Sequence, residues 1–393
     1  MSDSMRATDF VGTIGVNVRL AFTDGGYAKG QKVLAALQYL GVNQVRDAAV
    51  WTKLQGQASY ALLAKAGVKF DMVLQSGRDP GAAVTEIAKF GQLYPGAVAS
   101  VEGPNEINLK NFRYGALTGV NAGVAFVNAA VGAVNAKKVL RGTKIYDLTG
   151  ANVADNATVS NVHLYPCNGN QPRTLLSTAM ANQSKYHPGR DVVITETGYL
   201  TGTGNSQWEG VDQATQAKLT LNMLADAAAL GYKSTYLFQL LDAYPDPAGT
   251  GIDEHMGLFD LSYQPKQAAT AIHNLTSILA DPGADATQFQ PHDLLYTLAN
   301  IPADASSLLL EKANGVHDIM LWREPDIWDE KVHKPIAAQM ADTIVDFGSQ
   351  HMNVQLFDPL VSDKPIAAYG DVSSVHVGLT DHPLIVQVSA VQR

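Results

Sequence analysis

Through about residue 280 the chain repeats one local plan: a short run of β-branched and apolar residues, then a longer alanine- and leucine-rich stretch with helical spacing. Strands are predicted at 13–18, 44–47, 69–74, 98–102, 144–148, 160–165, 192–195 and 234–240. Helices are predicted at 28–40, 60–66, 82–93, 119–139, 173–185 and 211–230, with a last one at 264–279. Strands that alternate with helices imply parallel pairing, because each helix carries the chain back to the start of the next strand. Glycine ends several helices just before a strand begins, in Gly41-Val-Asn, Gly67-Val-Lys and Gly231-Tyr-Lys. That is the expected stop, since glycine accepts the left-handed backbone there. Eight such units in about 250 residues predict an α/β fold, a closed (β/α)8 barrel. The fifth unit is the thinnest, with a short or missing helix between Leu148 and Ser160. A doubly wound open sheet is the competing architecture, but it needs a phosphate-cradling glycine turn after an early strand. The stretch Gly202-Thr-Gly204-Asn-Ser-Gln lacks the third glycine and follows a late strand, so it reads as a flexible loop.

After Asp281-Pro-Gly the pattern changes to short alternating runs split by turn residues, at 293–299, 307–311, 318–322, 340–347, 352–357, 372–379 and 384–388. These predict an antiparallel β-sandwich, with Ala313-Asn-Gly-Val as a hairpin turn. Two domains follow, a barrel over 1–282 and a sandwich over 283–393. Composition narrows the function classes. Net charge is −9 and no lysine or arginine cluster occurs, so a nucleic-acid partner is not expected. No apolar run approaches the ~18 residues of a membrane span. The single Cys167 rules out an intrachain disulfide and a cysteine-based zinc site. Nothing in the sequence speaks to oligomeric state.

Two glutamates stand out by position. Glu106, in Val101-Glu102-Gly103-Pro104-Asn105-Glu106, lies just past the end of predicted strand four. Glu196, in Val192-Val-Ile-Thr-Glu196-Thr-Gly198-Tyr199, lies at the end of strand seven. Barrel active sites are built at the C-terminal strand ends, and strands four and seven face each other across the mouth. Two opposed carboxyl groups ~5–5.5 Å apart are what retaining glycoside hydrolysis needs. Either glutamate alone also fits a surface or helix-capping residue. Glu102 shares strand parity with Glu106 and could compete as the acid, but it sits deeper, where a satisfied buried acid is expected. His163 and Tyr165, in Asn161-Val-His163-Leu-Tyr165, share parity and point to one side of strand six. Arg46 ends strand two beside Asp47, with which a rim ion pair is the plain reading.

The Asn105-Glu106 pair and the Thr195-Glu196-Thr-Gly stretch resemble clan A of the glycoside hydrolases, the 4/7 superfamily. Gly257-Leu-Phe-Asp and Gln264-Pro-Lys266-Gln are similar to the strand-eight passage of those enzymes. The resemblance implies a retaining hydrolase of β-linked polysaccharides or oligosaccharides, working without a cofactor or metal. It assigns Glu106 as acid/base, Glu196 as nucleophile, Asn105 as partner of the sugar 2-hydroxyl and Arg46 as support for Glu196. His163 and Tyr165 would line the sugar subsite. Strand eight departs from the clan, which often places a tryptophan where this chain has Phe238-Gln239-Leu240-Leu241-Asp242. Gln239 and Asp242 are therefore candidate sugar contacts, with Asn17, Gln75 and Tyr244. Trp208 and Trp51 read equally as stacking platforms or as half-buried packing, and Asp253-Glu254-His255 as a solvated loop. Loops at 108–117, 200–210 and 242–256 would shape the cleft. A catalytically silent carbohydrate-binding barrel and a transglycosylase using the same two glutamates are the alternatives. A secreted or periplasmic protein is expected, its leader absent from this sequence, with the cytoplasm as the other possibility.

Overall fold

The computed structural model describes residues 4–109, 111–202, 208–350 and 352–390. Eight parallel strands close into a barrel: β1 (Ile14–Asn17), β2 (Gln44–Ala48), β3 (Lys69–Val73), β4 (Val98–Glu102), β5 (Lys144–Tyr146), β6 (Val159–His163), β7 (Asp191–Thr197) and β8 (Thr235–Leu237). They follow chain order around the ring, and β8 closes it by pairing Thr235 with Ile14. Seven helices wrap the outside: Gly30–Leu40, Gln57–Lys65, Pro80–Leu93, Gly119–Asn135, Arg173–Tyr186, Gln213–Ala229 and Gln267–Ile278. Gly41, Gly67 and Gly231 stand at φ +67°, +87° and +88°, the left-handed stops expected of them. Residues 147–158 contain no helix, so β5 reaches β6 directly and pairs with it only through Tyr146 and Val159. Strand alternation decides what fills the barrel. In β3, Phe70 and Met72 join the core under the helices, whereas Asp71 points the other way, toward Ser100 and Arg46.

The C-terminal region is built on two larger sheets, with a small two-stranded one pairing Trp328–Asp329 with Lys334–Pro335. One is six-stranded, in the order Met5–Arg6, Ala305–Glu311, His317–Arg323, Leu384–Ala390, Met352–Phe357, Pro365–Val372. The other is three-stranded: Thr297–Ala299, Ala341–Asp346, Ser374–Leu379. The turn at Asn314-Gly315 joins Ala305–Glu311 to His317–Arg323 as expected, with Gly315 at φ +79°. Two strands of the six-stranded sheet were not predicted, nor was the short pair Trp328–Asp329 and Lys334–Pro335. Met5–Arg6, from the start of the chain, adds in parallel to Ala305–Glu311. Pro365–Val372 is an edge strand exposed along most of its length, so it carries no apolar alternation.

The central strands of the six-stranded sheet, Ala305–Glu311, His317–Arg323 and Leu384–Ala390, carry buried residues on both faces. Leu309, Ile319, Leu321 and Val386 fill the sandwich core, while Leu310, Met320, Trp322 and Ile385 pack with the barrel's core. Where alternation was expected, burial on both faces therefore leaves unbroken apolar stretches at Leu308–Leu310, Ile319–Trp322 and Leu384–Val386. Helix Gln213–Ala229 lies in the seam and is buried almost all round. Among the described residues no helix is long and apolar enough to cross a membrane.

Candidate active site

The mouth of the barrel is organised around Arg46. Its side chain is 5% exposed, and its guanidinium donates to four neighbours. Nε and Nη2 grip Glu102 through both carboxylate oxygens at 2.7 Å. Nη1 donates to Asn17 Oδ1 at 2.9 Å and to Glu196 Oε1 at 2.5 Å, and Nη2 reaches Asn105 Oδ1 at 2.6 Å. A planar fork of fixed donors can hold four groups in one arrangement, which a flexible ammonium could not. The rim pair with Asp47 does not form. Asp47 instead accepts backbone N–H bonds from Leu20 and Ala48. Burial pushes its carboxyl up to about 7.

Glu196 is carried inward where the β6–β7 register shifts between Ile194 and Glu196, setting it opposite His163. Tyr165 Oη donates to Glu196 Oε2 at 2.8 Å. Burial alone would raise the Glu196 carboxyl. The charges of His163 and Arg46, with the hydrogen bonds from Tyr165 and Arg46, outweigh that and hold it below the ordinary glutamate value. Glu102 is likewise held down by Arg46 against its burial, helped by a hydrogen bond from Asp71. Asp71 itself is pushed well up, by burial first and then by the charge of Glu102. Its neutral form is therefore favoured beside the charged Glu102.

Glu106 sits past the end of β4 in a different backbone state, φ +44°, which a residue with a side chain rarely adopts. Two contacts from the loop after β5 hold it there. The Glu106 N–H donates to Thr149 Oγ1 at 2.8 Å, and the Ile107 N–H donates to the Thr149 carbonyl at 3.1 Å. Gly103 lets β4 run close beside the end of β5, since a Cβ there would lie 2.9 Å from Val127 and 3.1 Å from the Asp147 backbone. His163 Nδ1 bridges the two acids, 3.0 Å from Glu106 Oε1 and 3.6 Å from Glu196 Oε2. One oxygen of each glutamate and a His163 ring nitrogen all lie within 4.8 Å of one another. Two carboxylates and an imidazole at that spacing could ligate a divalent cation. Here the guanidinium of Arg46 already places a buried positive charge against Glu196, which opposes a second one.

The remaining sequence candidates divide into two groups. Asn17 lines the cleft, but its amide is spent on Arg46 and on the Thr195 carbonyl (2.9 Å), so it positions the arginine. Trp208 packs on Tyr165 with ring centroids 4.9 Å apart, beside the nucleophile candidate. The structure does not bring Gln239 and Asp242 to the cleft. Gln239 is buried, donating to the Asp253 carbonyl at 2.7 Å and accepting from Tyr27 Oη. Asp242 is buried against Lys266 Nζ at 2.6 Å and accepts from the Gly257 N–H. Both brace the loop that follows β8, and Phe238 is the β8 side chain that reaches the cleft. Of the loops expected to shape it, residues 110 and 203–207 lie outside the described residues, and with them most of the Gly202–Gln207 stretch. Asp253 is not simply solvated, since it pairs with Arg19 at 2.7 Å. Sequence reasoning missed Arg19 and Thr149, neither of which carries a local signal. The cleft itself has a volume of ≈ 460 Å³, with Arg19, Phe22, Gln75, Asn105 and Glu196 in its walls.

A closed eight-stranded parallel barrel with its acids at the C-terminal mouth, followed by a β-sandwich, defines the architecture to which this chain belongs. No family model and no curated protein sequence matches it. Solved structures match it in fold. A family 39 glycoside hydrolase from Bacteroides cellulosilyticus is 12% identical over 97% of this chain and 82% of that one, with a TM-score of 0.64. The GH39 enzyme from Xanthomonas axonopodis pv. citri is 12% identical over 99% and 96%, and a monomeric β-xylosidase from Caulobacter crescentus is 11% identical over 99% and 98%, each with a TM-score of 0.60. At these identities the likeness is one of fold.

Proposed function

We propose that this protein is a retaining glycoside hydrolase acting on β-linked polysaccharides or oligosaccharides. One observation carries the reading: Glu106 and Glu196 approach within 4.8 Å, oxygen to oxygen, across the barrel mouth. Inverting enzymes hold their carboxyl groups ~6.5–9.5 Å apart to admit a water, so the short gap favours direct attack by one of them. Glu196 is the nucleophile, because Arg46, Tyr165 and His163 favour its charged form. Its oxygen bonds to the anomeric carbon as the glycosidic C–O bond breaks, and Glu106 gives its proton to the departing oxygen. Water then adds to the anomeric carbon, losing a proton to Glu106 and releasing Glu196. Asn105, fixed by Arg46, is placed to meet the sugar 2-hydroxyl. The fold shared with GH39 enzymes and a β-xylosidase supports the same reading.

The test uses an activated aryl β-glycoside. Glu196→Gly and Glu106→Ala should each lose on the order of 10²–10⁴-fold in turnover. Azide should restore the first through an α-glycosyl azide and the second through a β-glycosyl azide. Wild-type turnover in both variants would overturn the assignment.

A further inference from the structure

The wall of the cleft built by the segments after β1, β2 and β3 is rich in N–H donors that no protein acceptor uses. Arg19 lines the cleft with its guanidinium 5.1 Å from the Phe238 ring centroid and 5.4 Å from that of Phe22. Only Nη2 is spent, on Asp253 Oδ2 at 2.7 Å. Nε and Nη1 have no partner among the described residues, and neither does the Gln75 amide in the same wall. Three residues beyond Gln75, Arg78 stacks over Trp51 at 4.7 Å. There Arg78 Nη1 and Trp51 Nε1 are both buried without an acceptor.

The nearby acids do not answer these cations. Asp47 is sealed by the N–H groups of Leu20 and Ala48, and Asp79 caps the helix Pro80–Leu93 by accepting from Ala82. Asp24 accepts from Tyr244 Oη. In a chain of net charge −9, a cleft wall with surplus guanidinium runs against the overall balance. A buried donor left without an acceptor is costly, and a guanidinium fork matches a carboxylate better than it matches a hydroxyl.

We propose that this wall binds a sugar unit bearing a carboxylate, with Arg19 as its main partner and the Arg78–Trp51 stack extending the site outward. The proposal rests on the glycosidase reading of the cleft and adds the class of sugar. The carboxylate has to lie on the Arg19 side. In the same cleft Arg46 is already engaged by Glu196, Glu102, Asn17 and Asn105, which leaves it no free donor for a substrate carboxylate. Asp253 competes with the sugar for Arg19, so the two should trade off.

The experiment compares β-1,3- and β-1,4-linked glucose tetrasaccharides with their C6-oxidised, uronate counterparts. Binding is measured by calorimetry at low salt in the Glu106→Gln protein, which prevents turnover. For at least one linkage the uronate form should bind about tenfold more tightly than its neutral twin. That preference should weaken as sodium chloride is raised, fall to about threefold or less in Arg19→Gln, and grow in Asp253→Asn. The opposite signs of the two substitutions separate recognition from a general loss of fold. Equal binding of both forms at every linkage, no binding of either, or a preference indifferent to Arg19→Gln would each overturn the proposal. Hydrolysis of neutral glycans without acid preference would sink this inference and leave the glycosidase standing. Acid-selective binding with no hydrolysis of any member by wild-type protein would do the reverse.

Discussion

Two pairs of acids, each tied to one arginine, behave differently. At the barrel mouth Asp71 and Glu102 share Arg46. At the seam between barrel and sandwich, Asp226 of helix Gln213–Ala229 and Glu324, just past strand His317–Arg323, share Arg173. Arg46 is 5% exposed and contributes both Nε and Nη2 to Glu102. Arg173 is 40% exposed and gives Asp226 a single side-chain bond at 2.7 Å, with Trp322 Nε1 adding another at 3.0 Å. In each pair one acid is pushed up, Asp71 at the mouth and Glu324 at the seam; the second acid is where they differ, since burial raises Asp226 as well. Glu102 is held below its ordinary value despite complete burial. Glu324, pushed up by burial and by the charge of Asp226, reaches about 9. Burial drives every carboxyl toward its neutral form, and only a desolvated cation with matched geometry reverses this. One cluster is therefore a fixed array of charges suited to steadying Glu196. The other is a pair in which burial raises both acids, packed where the barrel meets the C-terminal sheets.

The largest effect that could break this contrast is removal of the cation. Arg46→Met leaves Glu102 and Glu196 facing each other without compensation. We expect a stability loss of about 3–5 kcal/mol by urea denaturation. Turnover should fall by at least about 100-fold, because Asn105 and Glu196 lose a common anchor. Arg173→Met removes a half-exposed partner from an already protonated pair, and should cost about 1 kcal/mol or less. Similar losses from the two substitutions would erase the distinction between the clusters.

A smaller effect sharpens it at the nucleophile. Glu196 is depressed, so the fold favours its charged form. That contribution is present above the ordinary glutamate value and is lost as pH falls through the depressed one. Tyr165→Phe deletes one hydrogen bond to the charged form, and should move the acid limb of the activity profile upward by roughly half a unit to one unit. A limb that stays in place would mean that Arg46 and His163 alone set the charge of Glu196.

Much of this was legible before any coordinates. Apolar runs leading into Glu106 and Glu196 marked the strand ends, and parity put His163 and Tyr165 on one side of strand six, where each reaches a glutamate. Even the missing helix after β5 left a visible gap in the pattern. What escaped depends on partners far away in sequence. Asp242 looked like a sugar ligand because nothing local announces Lys266, which folds back to pair with it. Asn17 reads as a polar strand end whether it meets a sugar or Arg46. The role of Arg19 rests on donors left unused, and unused donors have no sequence signature. Pro365–Val372 was invisible for the opposite reason: an exposed edge strand has no buried face to impose a period of two.

The smallest expected effect concerns the seam. Because Glu324 titrates near 9 in the folded protein and near the ordinary ~4.3 when unfolded, the native state binds more protons across that window. Stability contributed by this pair is therefore highest at acidic pH and declines as pH rises from about 4 toward 9. Glu324→Gln keeps a neutral donor toward Asp226 but cannot ionise. It should be close to neutral near pH 4–5 and relatively stabilising, by on the order of 1 kcal/mol, at pH 8. Paired thermal or urea melts at the two pH values measure the difference directly. Glutamine destabilising the protein equally at both would mean that Glu324 is already ionised and held by Arg173, and the seam would then resemble the barrel mouth after all.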